Sequence, residues 1–186
     1  GGKEACIVGL DKITGKQRWT ARKARARYSS PVLATQAGEA VVICWTGDSV
    51  SGIAPASGKV YWRYEFPPSR MPIGIATPVV HQDEVFVTSF YDGSLMLKLD
   101  QKKTAVSKIW RLVGPDEQNT QGLHSIISTP VRLGDYLYGV DSYGELRCLE
   151  AASGKRIWED QTATPRSRWS TIHFVRNGKK VWMFNE

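Results

Sequence analysis

The sequence lacks the features by which several classes of protein are recognised. No run approaches the roughly 18 consecutive apolar residues of a membrane-spanning helix, and no secretory signal precedes the first strand-like segment. No window shows a sustained period of 3.6 residues, so helix is not expected. The chain begins within a repeating pattern, and we expect it to be a fragment or a trimmed chain. Its missing signal therefore carries no information about location.

Cysteine is scarce, and its placement favours packing over chemistry. Cys6, Cys44 and Cys148 each lie in a predicted strand and have no metal-ligand spacing, which is typical of small buried hydrophobes. An odd number of cysteines argues against a full disulfide framework, so the cysteines do not distinguish an oxidising from a reducing compartment. The chain also has no Gly-x-Ser-x-Gly, no His-Glu-x-x-His and no Gly-rich phosphate loop, and its three histidines are scattered. We therefore predict no catalytic residue, no cofactor and no metal site.

What the sequence does contain is one short pattern that occurs four times. The pattern is a strand, a tight turn and a second strand that ends near a tryptophan. The copies cover residues 7–19, 50–62, 95–110 and 146–158. The third copy has a longer turn and lacks its glycine. Successive tryptophans are 43, 48 and 48 residues apart, and an all-strand repeat of this length predicts the blades of a β-propeller.

The predicted fold is an all-β propeller of four-stranded blades, in a single domain over residues 1–186. Each first strand follows a Ser/Thr-Pro-Val sequence at Pro31, Pro78 or Pro130, which suits a strand start because proline lacks the ladder N–H. Three complete blades are predicted at 28–66, 74–113 and 126–161. Residues 5–22 supply only the last two strands of a blade, and residues 170–185 only the first two.

The two half blades leave the size of the ring open. They could complete one blade and close a ring of four, which would satisfy both exposed strand edges. Alternatively the chain is an open arc from a larger propeller. Four blades is the lower limit for this architecture, and we expect the open arc.

The repeated pattern resembles the pyrroloquinoline-quinone-type (PQQ-like) propeller repeat. Leu10-Asp11 with Thr14-Gly15-Lys16 and Trp19 matches that repeat, and Leu149-Glu150 with Ser153-Gly154-Lys155 and Trp158 matches it equally well. In the second copy Ala54 replaces the acid, whereas Ser57-Gly58-Lys59 and Trp62 are retained; the third copy keeps Leu99-Asp100 and Trp110. The resemblance covers essentially the whole chain. It implies that each tryptophan packs between neighbouring blades and that the acid and Gly15, Gly58 and Gly154 hold the outer hairpins.

The resemblance implies a scaffold rather than an enzyme. It is nearest to the non-catalytic branch, which includes the outer-membrane assembly propeller lipoprotein and bacterial secreted propellers, so a periplasmic or secreted location is expected. Catalytic relatives need Glu, Asn and Asp side chains around a calcium ion, a catalytic Asp and often adjacent cysteines. No two cysteines are adjacent here. A quinone- or calcium-dependent oxidoreductase is nevertheless the alternative from another class.

The loops between blades carry much of the chain's net charge of +7. All of them are expected on one face of the propeller, where they would form a cationic rim with interleaved aromatic residues. The predicted rim residues are Arg25, Arg27, Tyr28, Arg70, Met71, His124, Arg166, Arg168 and Trp169. Such a rim suits a protein or anionic partner, with a glycan as a further alternative and a solvated loop surface as the simplest explanation. A groove of stacking aromatics is not evident, so nucleic acid is not expected.

Overall fold

The computed structural model describes residues 6–185 and contains sixteen β-strands, with no helix among those residues. The prediction of an all-β fold is therefore confirmed. Residue 5 of the predicted first half blade, and residues 1–4 and 186 of the predicted domain, lie outside the described residues. Within residues 6–185 there is accordingly no helix long and apolar enough to cross a membrane.

The strands form five antiparallel sheets that follow one another along the chain. Sheet 1 has β1 (Ile7–Leu10) and β2 (Gln17–Ala21). Sheet 2 has β3 (Val32–Gln36), β4 (Glu39–Trp45), β5 (Ser49–Ile53) and β6 (Val60–Glu65). Sheet 3 has β7 (Val79–His81), β8 (Glu84–Ser89), β9 (Gly93–Leu99) and β10 (Val106–Leu112). Sheet 4 has β11 (Val131–Leu133), β12 (Tyr136–Val140), β13 (Leu146–Glu150) and β14 (Arg156–Asp160), and sheet 5 has β15 (Ile172–Asn177) and β16 (Lys180–Asn185).

The repeated pattern has the same local structure in its copies. The two strands of each copy pair with a register shift next to the turn, for example between Gly52 and Ile53 in sheet 2 and between Cys148 and Leu149 in sheet 4. Such a bulge adds a residue on one strand and increases the local twist. Gly15, Gly58 and Gly154 close the turns with φ of 69°, 75° and 73°, a left-handed conformation that glycine adopts without a Cβ clash.

Each hydrophobic cluster joins two neighbouring sheets. The largest contains Val41, Ile43 and Trp62 of sheet 2 with Leu95 and Leu97 of sheet 3. A second joins sheets 3 and 4, a third joins sheets 1 and 2, and a fourth joins sheets 4 and 5. The sheets therefore stack face to face in chain order, which is the arrangement of propeller blades.

Among the described residues, the two terminal sheets are not paired with each other. β1 is hydrogen-bonded only to β2, and β16 only to β15. The inner edge of β1 and the outer edge of β16 thus have no neighbouring strand in the described part of the chain. β16 also exposes large apolar side chains, and Phe184 is 69% accessible.

Candidate functional site

The loops between the sheets and the hairpins between second and third strands lie on the same face of the molecule. The backbone N–H of Ser69 donates to the Asp92 carboxylate at 2.6 Å, which joins the loop after sheet 2 to a hairpin of sheet 3. Similarly, the backbone N–H of Trp169 donates to the Ser142 carbonyl at 3.0 Å. We call this surface the loop face.

An aromatic–arginine cluster stands at the centre of the loop face. The Arg168 guanidinium lies 5.4 Å from the Phe90 ring centroid and 4.9 Å from that of Trp169, distances at which cation–π attraction operates. It also donates to the Tyr91 hydroxyl at 3.2 Å and to the Glu117 carboxylate at 2.9 Å. The cluster therefore unites residues from three separate loops or hairpins.

Exposed side chains extend this cluster into solvent. Trp169 is 46% accessible and has a φ of 73°, a left-handed conformation that is uncommon for a non-glycine residue and clusters at functional sites. Arg70 lies 5.5 Å from the Tyr91 ring centroid. It forms no ion pair within 4 Å among residues 6–185, although its charge helps to lower the pKa of Glu117. Met71, next to Arg70, is also exposed, and so is Tyr28 on the separate loop between sheets 1 and 2. The result is a surface of flat aromatic rings edged by guanidinium groups.

Arg25 and Arg27 lie on the loop between sheets 1 and 2, away from the cluster. Arg25 is exposed, and its carbonyl accepts a hydrogen bond from the backbone N–H of Gly47. Arg27 is half-buried, with its guanidinium 4.6 Å from the Trp45 ring centroid and one N–H donated to the Gly47 carbonyl at 3.2 Å. Burial lowers the pKa of Arg27. Arg27 therefore helps to hold the loop between sheets 1 and 2 against Trp45 and Gly47.

His124 lies beneath the loop face. Its side chain is only 1% exposed, and its Nδ1 is 2.8 Å from the Phe90 carbonyl oxygen. Burial lowers the pKa of His124, although the nearby Asp141 carboxylate acts in the opposite direction. The residue supports Phe90 from below and is not placed for direct contact with a partner.

A buried ionic network fixes the long loop 113–130. Arg147 and Asp141 form an ion pair at 2.9 Å in which both side chains are almost fully buried. Arg147 also donates to the Thr120 hydroxyl and the Gly122 carbonyl, and Asp141 accepts the backbone N–H of His124 at 2.6 Å. Because burial of an unpaired charge is costly, these partners hold the loop in one position.

The charge of the rim is lower than the sequence count suggested, because acidic residues of the hairpins lie among the arginines. Arg22 pairs with Asp48 at 3.2 Å, and the Arg166 guanidinium is 3.8 Å from the Glu145 carboxylate. Arg168 forms an ion pair with Glu117. Burial acts to raise the pKa of Glu117, but the hydrogen bonds from Tyr143 and Arg168 outweigh it, so that this pKa is lowered. Arg27 faces Asp92 and Asp48 and Arg70 faces Glu117 at longer range, without ion pairs within 4 Å among the described residues.

The repeated tryptophans lie at the opposite face, between sheets. The Trp19 indole N–H donates to the Pro55 carbonyl at 2.9 Å, and its ring covers Gly58 so closely that a Cβ there would be 2.6 Å from the ring. Trp110 donates to the Ala151 carbonyl at 2.8 Å and covers Gly154 in the same way. Gly58 and Gly154 therefore each provide a flat surface for the tryptophan of the preceding sheet.

The contact between sheets 2 and 3 is built differently, because the turn of the third copy of the pattern has no glycine. The Trp62 indole N–H donates to the Gln36 side chain at 2.8 Å. The Gln36 amide in turn donates to the carbonyls of Asp100 and Ala105 at 3.3 and 2.5 Å. Gln36 is fully buried, and it bridges the tryptophan to the lengthened turn.

The acids singled out by the repeat hold turns. The Asp11 carboxylate accepts the backbone N–H groups of Ile13 and Thr14, and a bond from Arg18 together with those of the turn lowers its pKa to about 2. Over residues 6–185 no three His, Cys, Asp or Glu side chains are grouped so that they could share a metal ion.

Comparison with known proteins identifies relatives of the chain. The family model described as outer membrane protein assembly factor BamB matches residues 3–183. A search of curated proteins found no match. Among solved structures, BamB from Moraxella catarrhalis is similar over 96% of this chain and 64% of its own, with 16% identity and a TM-score of 0.53. This chain thus spans less than two thirds of that relative.

Two other solved structures show the range of proteins that share the fold. The computationally designed Ika8 protein matches over 97% of this chain and 50% of its own, with 8% identity and a TM-score of 0.61. Quinohemoprotein alcohol dehydrogenase from Comamonas testosteroni matches over 94% of this chain and 35% of its own, with 15% identity and a TM-score of 0.53. At such identities the likeness establishes the propeller fold and nothing about chemistry.

Proposed function

Because this chain belongs to the BamB-type family of PQQ-like propeller repeats, we propose that it is a non-enzymatic scaffold that binds a protein partner through the loop face. The observation that supports this most is the aromatic–arginine cluster, with Arg70, Tyr91, Arg168 and Trp169 on one solvent-facing surface. Arginine and large aromatics are the residues that dominate binding energy at protein interfaces. A location outside the cytoplasm, periplasmic or secreted, belongs to the same proposal.

The preferred partner segment is acidic and carries an aromatic or apolar side chain. Arg70 supplies an exposed guanidinium that stacks on Tyr91 and forms no ion pair within 4 Å among residues 6–185, so a carboxylate of the partner would pair with it. Trp169 and Met71 offer apolar surface beside it. Glu117 forms its ion pair with Arg168 and interacts with Arg70 only at longer range, which leaves Arg70 open to a partner and makes Arg168 a support for the rings.

A displayed library of random peptides tests this function. Peptides selected on the wild-type chain should be enriched in Asp, Glu and aromatic residues. Their affinity should fall strongly with Arg70→Glu and with Trp169→Asn, in which asparagine tolerates the left-handed backbone. Arg176→Glu, on the β15–β16 hairpin away from the loop face, is the matched control. Selected peptides that bind all three variants equally well would refute the assignment to the loop face.

The rival function, a quinone- or calcium-dependent oxidoreductase, has less support. The similar dehydrogenase structures establish only the fold, and over residues 6–185 no three His, Cys, Asp or Glu side chains are grouped as metal ligands. Calcium-dependent stabilisation measured by thermal unfolding would favour the rival. Glycan binding would be indicated by a rise in melting temperature with a carboxylated oligosaccharide that Arg70→Glu abolishes.

A further inference from the structure

The Glu117 carboxylate lies in a binding site that other parts of the chain form. Arg168 contacts it through two N–H groups, Nε to Oε1 and Nη2 to Oε2, each at 2.9 Å. The Tyr143 hydroxyl donates to Oε1 at 2.8 Å. Glu117 belongs to the loop after sheet 3, whereas Arg168 belongs to the loop after sheet 4 and Tyr143 to the hairpin of sheet 4. A planar guanidinium with two donors on one carboxylate is the geometry by which proteins recognise carboxylates.

Aromatic residues orient the Arg168 guanidinium independently of Glu117. The guanidinium lies 5.4 Å from the ring centroid of Phe90 and 4.9 Å from that of Trp169, and its Nη2 also donates to the Tyr91 hydroxyl at 3.2 Å. Cation–π contacts with two rings restrict the plane of the guanidinium, so its donors stay directed at the same place. The site therefore keeps its shape when the carboxylate of Glu117 leaves it.

Glu117 itself stands on an exposed part of its loop. We call residues 115–119 the loop tip; its other four residues are all exposed. The tip holds its own shape, since the Asp116 carboxylate accepts the backbone N–H of Asn119 at 2.7 Å. The base of the loop begins at the buried Thr120, which the ionic network beneath the loop face holds. A side chain that leaves the site from this tip enters solvent and does not disturb the core.

The Glu117 carboxylate is held by bonds that an external carboxylate would also receive. The side chains of Arg168 and Glu117 are 42% and 22% accessible, and an exposed ion pair contributes little to stability because water screens both charges. The Ser142 hydroxyl donates to the Glu117 carbonyl at 2.7 Å, so this bond fixes the backbone of the tip and not the carboxylate. A change of the Glu117 side-chain rotamer is therefore enough to open the site.

Arg70 favours an external carboxylate over that of Glu117. It stacks on Tyr91, the same residue whose hydroxyl Arg168 contacts. It forms no ion pair within 4 Å among residues 6–185, and it acts on Glu117 only at longer range. A partner segment with two acidic residues can pair with both arginines at once, which the single carboxylate of Glu117 does not do.

We infer that the loop face contains a binding site for a side-chain carboxylate of the partner, and that Glu117 occupies this site as an internal competitor. Since the inference rests on the proposed binding of a protein at the loop face, it specifies which group of that protein is recognised. Arg168 supports the rings in the free chain and contacts the partner directly in the complex. Displacement of Glu117 also makes the site selective, because a segment with few acidic residues gains too little to replace it.

Removal of the competitor should strengthen binding, which is the opposite of the usual effect of a mutation in a binding site. The probe is a labelled five-residue peptide of alternating glutamate and tryptophan with blocked ends, and fluorescence anisotropy measures its Kd. Glu117→Gln should bind it about 5-fold more tightly than the wild type, the scale of one exposed ion pair. The same peptide with glutamine in place of glutamate should show no gain. Urea unfolding of each variant establishes that it is folded.

Asp116→Asn is the matched control for charge. It removes one negative charge from the same loop tip, whereas its side-chain carbonyl can still accept the turn bonds made by Asp116. Since Asp116 is exposed and water and salt screen its charge, the Kd should change by less than about 2-fold. An equal gain from Asp116→Asn would overturn the inference, because the effect would then come from the net charge of the loop.

A double-mutant cycle assigns the gain to the Arg168 site. In chains that carry Arg168→Gln, the further change Glu117→Gln should no longer tighten binding, because the site that Glu117 blocks is gone. A gain that persists without Arg168, or a Glu117→Gln chain that binds no more tightly than the wild type, overturns the inference. The proposed function is judged separately, by the loss of selected peptides with Arg70→Glu and Trp169→Asn. If those losses occur without a gain at Glu117, the loop face binds a partner but Glu117 is not a competitor.

Discussion

Trp110 and Trp158 occupy the same place in the repeat, but they have very different surroundings. Trp110 is 9% exposed, covers Gly154 and donates to the Ala151 carbonyl. Trp158 has a tilted ring contact with Tyr138 in its own sheet, at 6.0 Å between centroids, and no turn glycine against its outer face among the described residues. The comparison shows that the repeat supplies one half of each joint and the neighbouring blade supplies the other.

Truncation of the two tryptophans should give the largest difference. Trp110→Ala should lower the free energy of unfolding by about 3–5 kcal/mol, because it removes a buried ring and leaves a cavity. Trp158→Ala should cost about 1 kcal/mol or less, since 41% of the residue is already accessible to water. Urea unfolding followed by circular dichroism measures both. Equal losses would mean that the inter-sheet contact contributes little.

Removal of the Gln36 bridge should have the next largest effect. Gln36→Met keeps the size of the side chain but leaves the Trp62 indole N–H and the carbonyls of Asp100 and Ala105 without this partner. A buried group left unpaired costs about 1–3 kcal/mol, so we expect a loss of about 2 kcal/mol in the same unfolding assay. Gln17→Met, at an exposed position on β2, should change stability by less than about 0.5 kcal/mol. A similar small change at Gln36 would show that water replaces the bridge.

The features that could be predicted from the sequence are those encoded within one repeat. The strand alternation, the Ser/Thr-Gly turns and the spacing of the tryptophans are local, and they predicted the all-β fold of four-stranded sheets. The Gln36 bridge was missed because it joins the first strand of sheet 2 to a turn more than sixty residues later. No signal in the glutamine itself distinguishes it from other polar residues near a hairpin.

The loop face was predicted only in part for a related reason. Loop membership placed His124 on the rim, whereas packing against Phe90 buries it. Phe90 and Tyr91 were not among the predicted rim residues, and their role emerges only where their hairpin meets Arg168 of a distant loop. The ion pairs of Asp48 with Arg22 and of Glu145 with Arg166 were missed for the same reason. Contacts between separate blades depend on three-dimensional closure, which a repeat pattern does not specify.

Alanine at the two turn glycines should give the smallest and most selective difference. Gly58→Ala and Gly15→Ala both place a Cβ in a left-handed residue, at a cost of roughly 1 kcal/mol each. At Gly58 the new methyl also meets the Trp19 ring at 2.6 Å, whereas at Gly15 it meets nothing within 4 Å. Trp19 belongs to a terminal sheet with a free edge and can shift, so the extra cost should be near the lower limit for overpacking, about 1 kcal/mol.

Gly15→Ala should therefore be the milder change, with the higher urea midpoint of the two variants. The difference between the two midpoints isolates the contact with the Trp19 ring, because both variants carry the same cost of a Cβ in a left-handed residue. Equal midpoints would mean that the Trp19 ring moves aside without cost and that its contact with Gly58 contributes nothing measurable to stability.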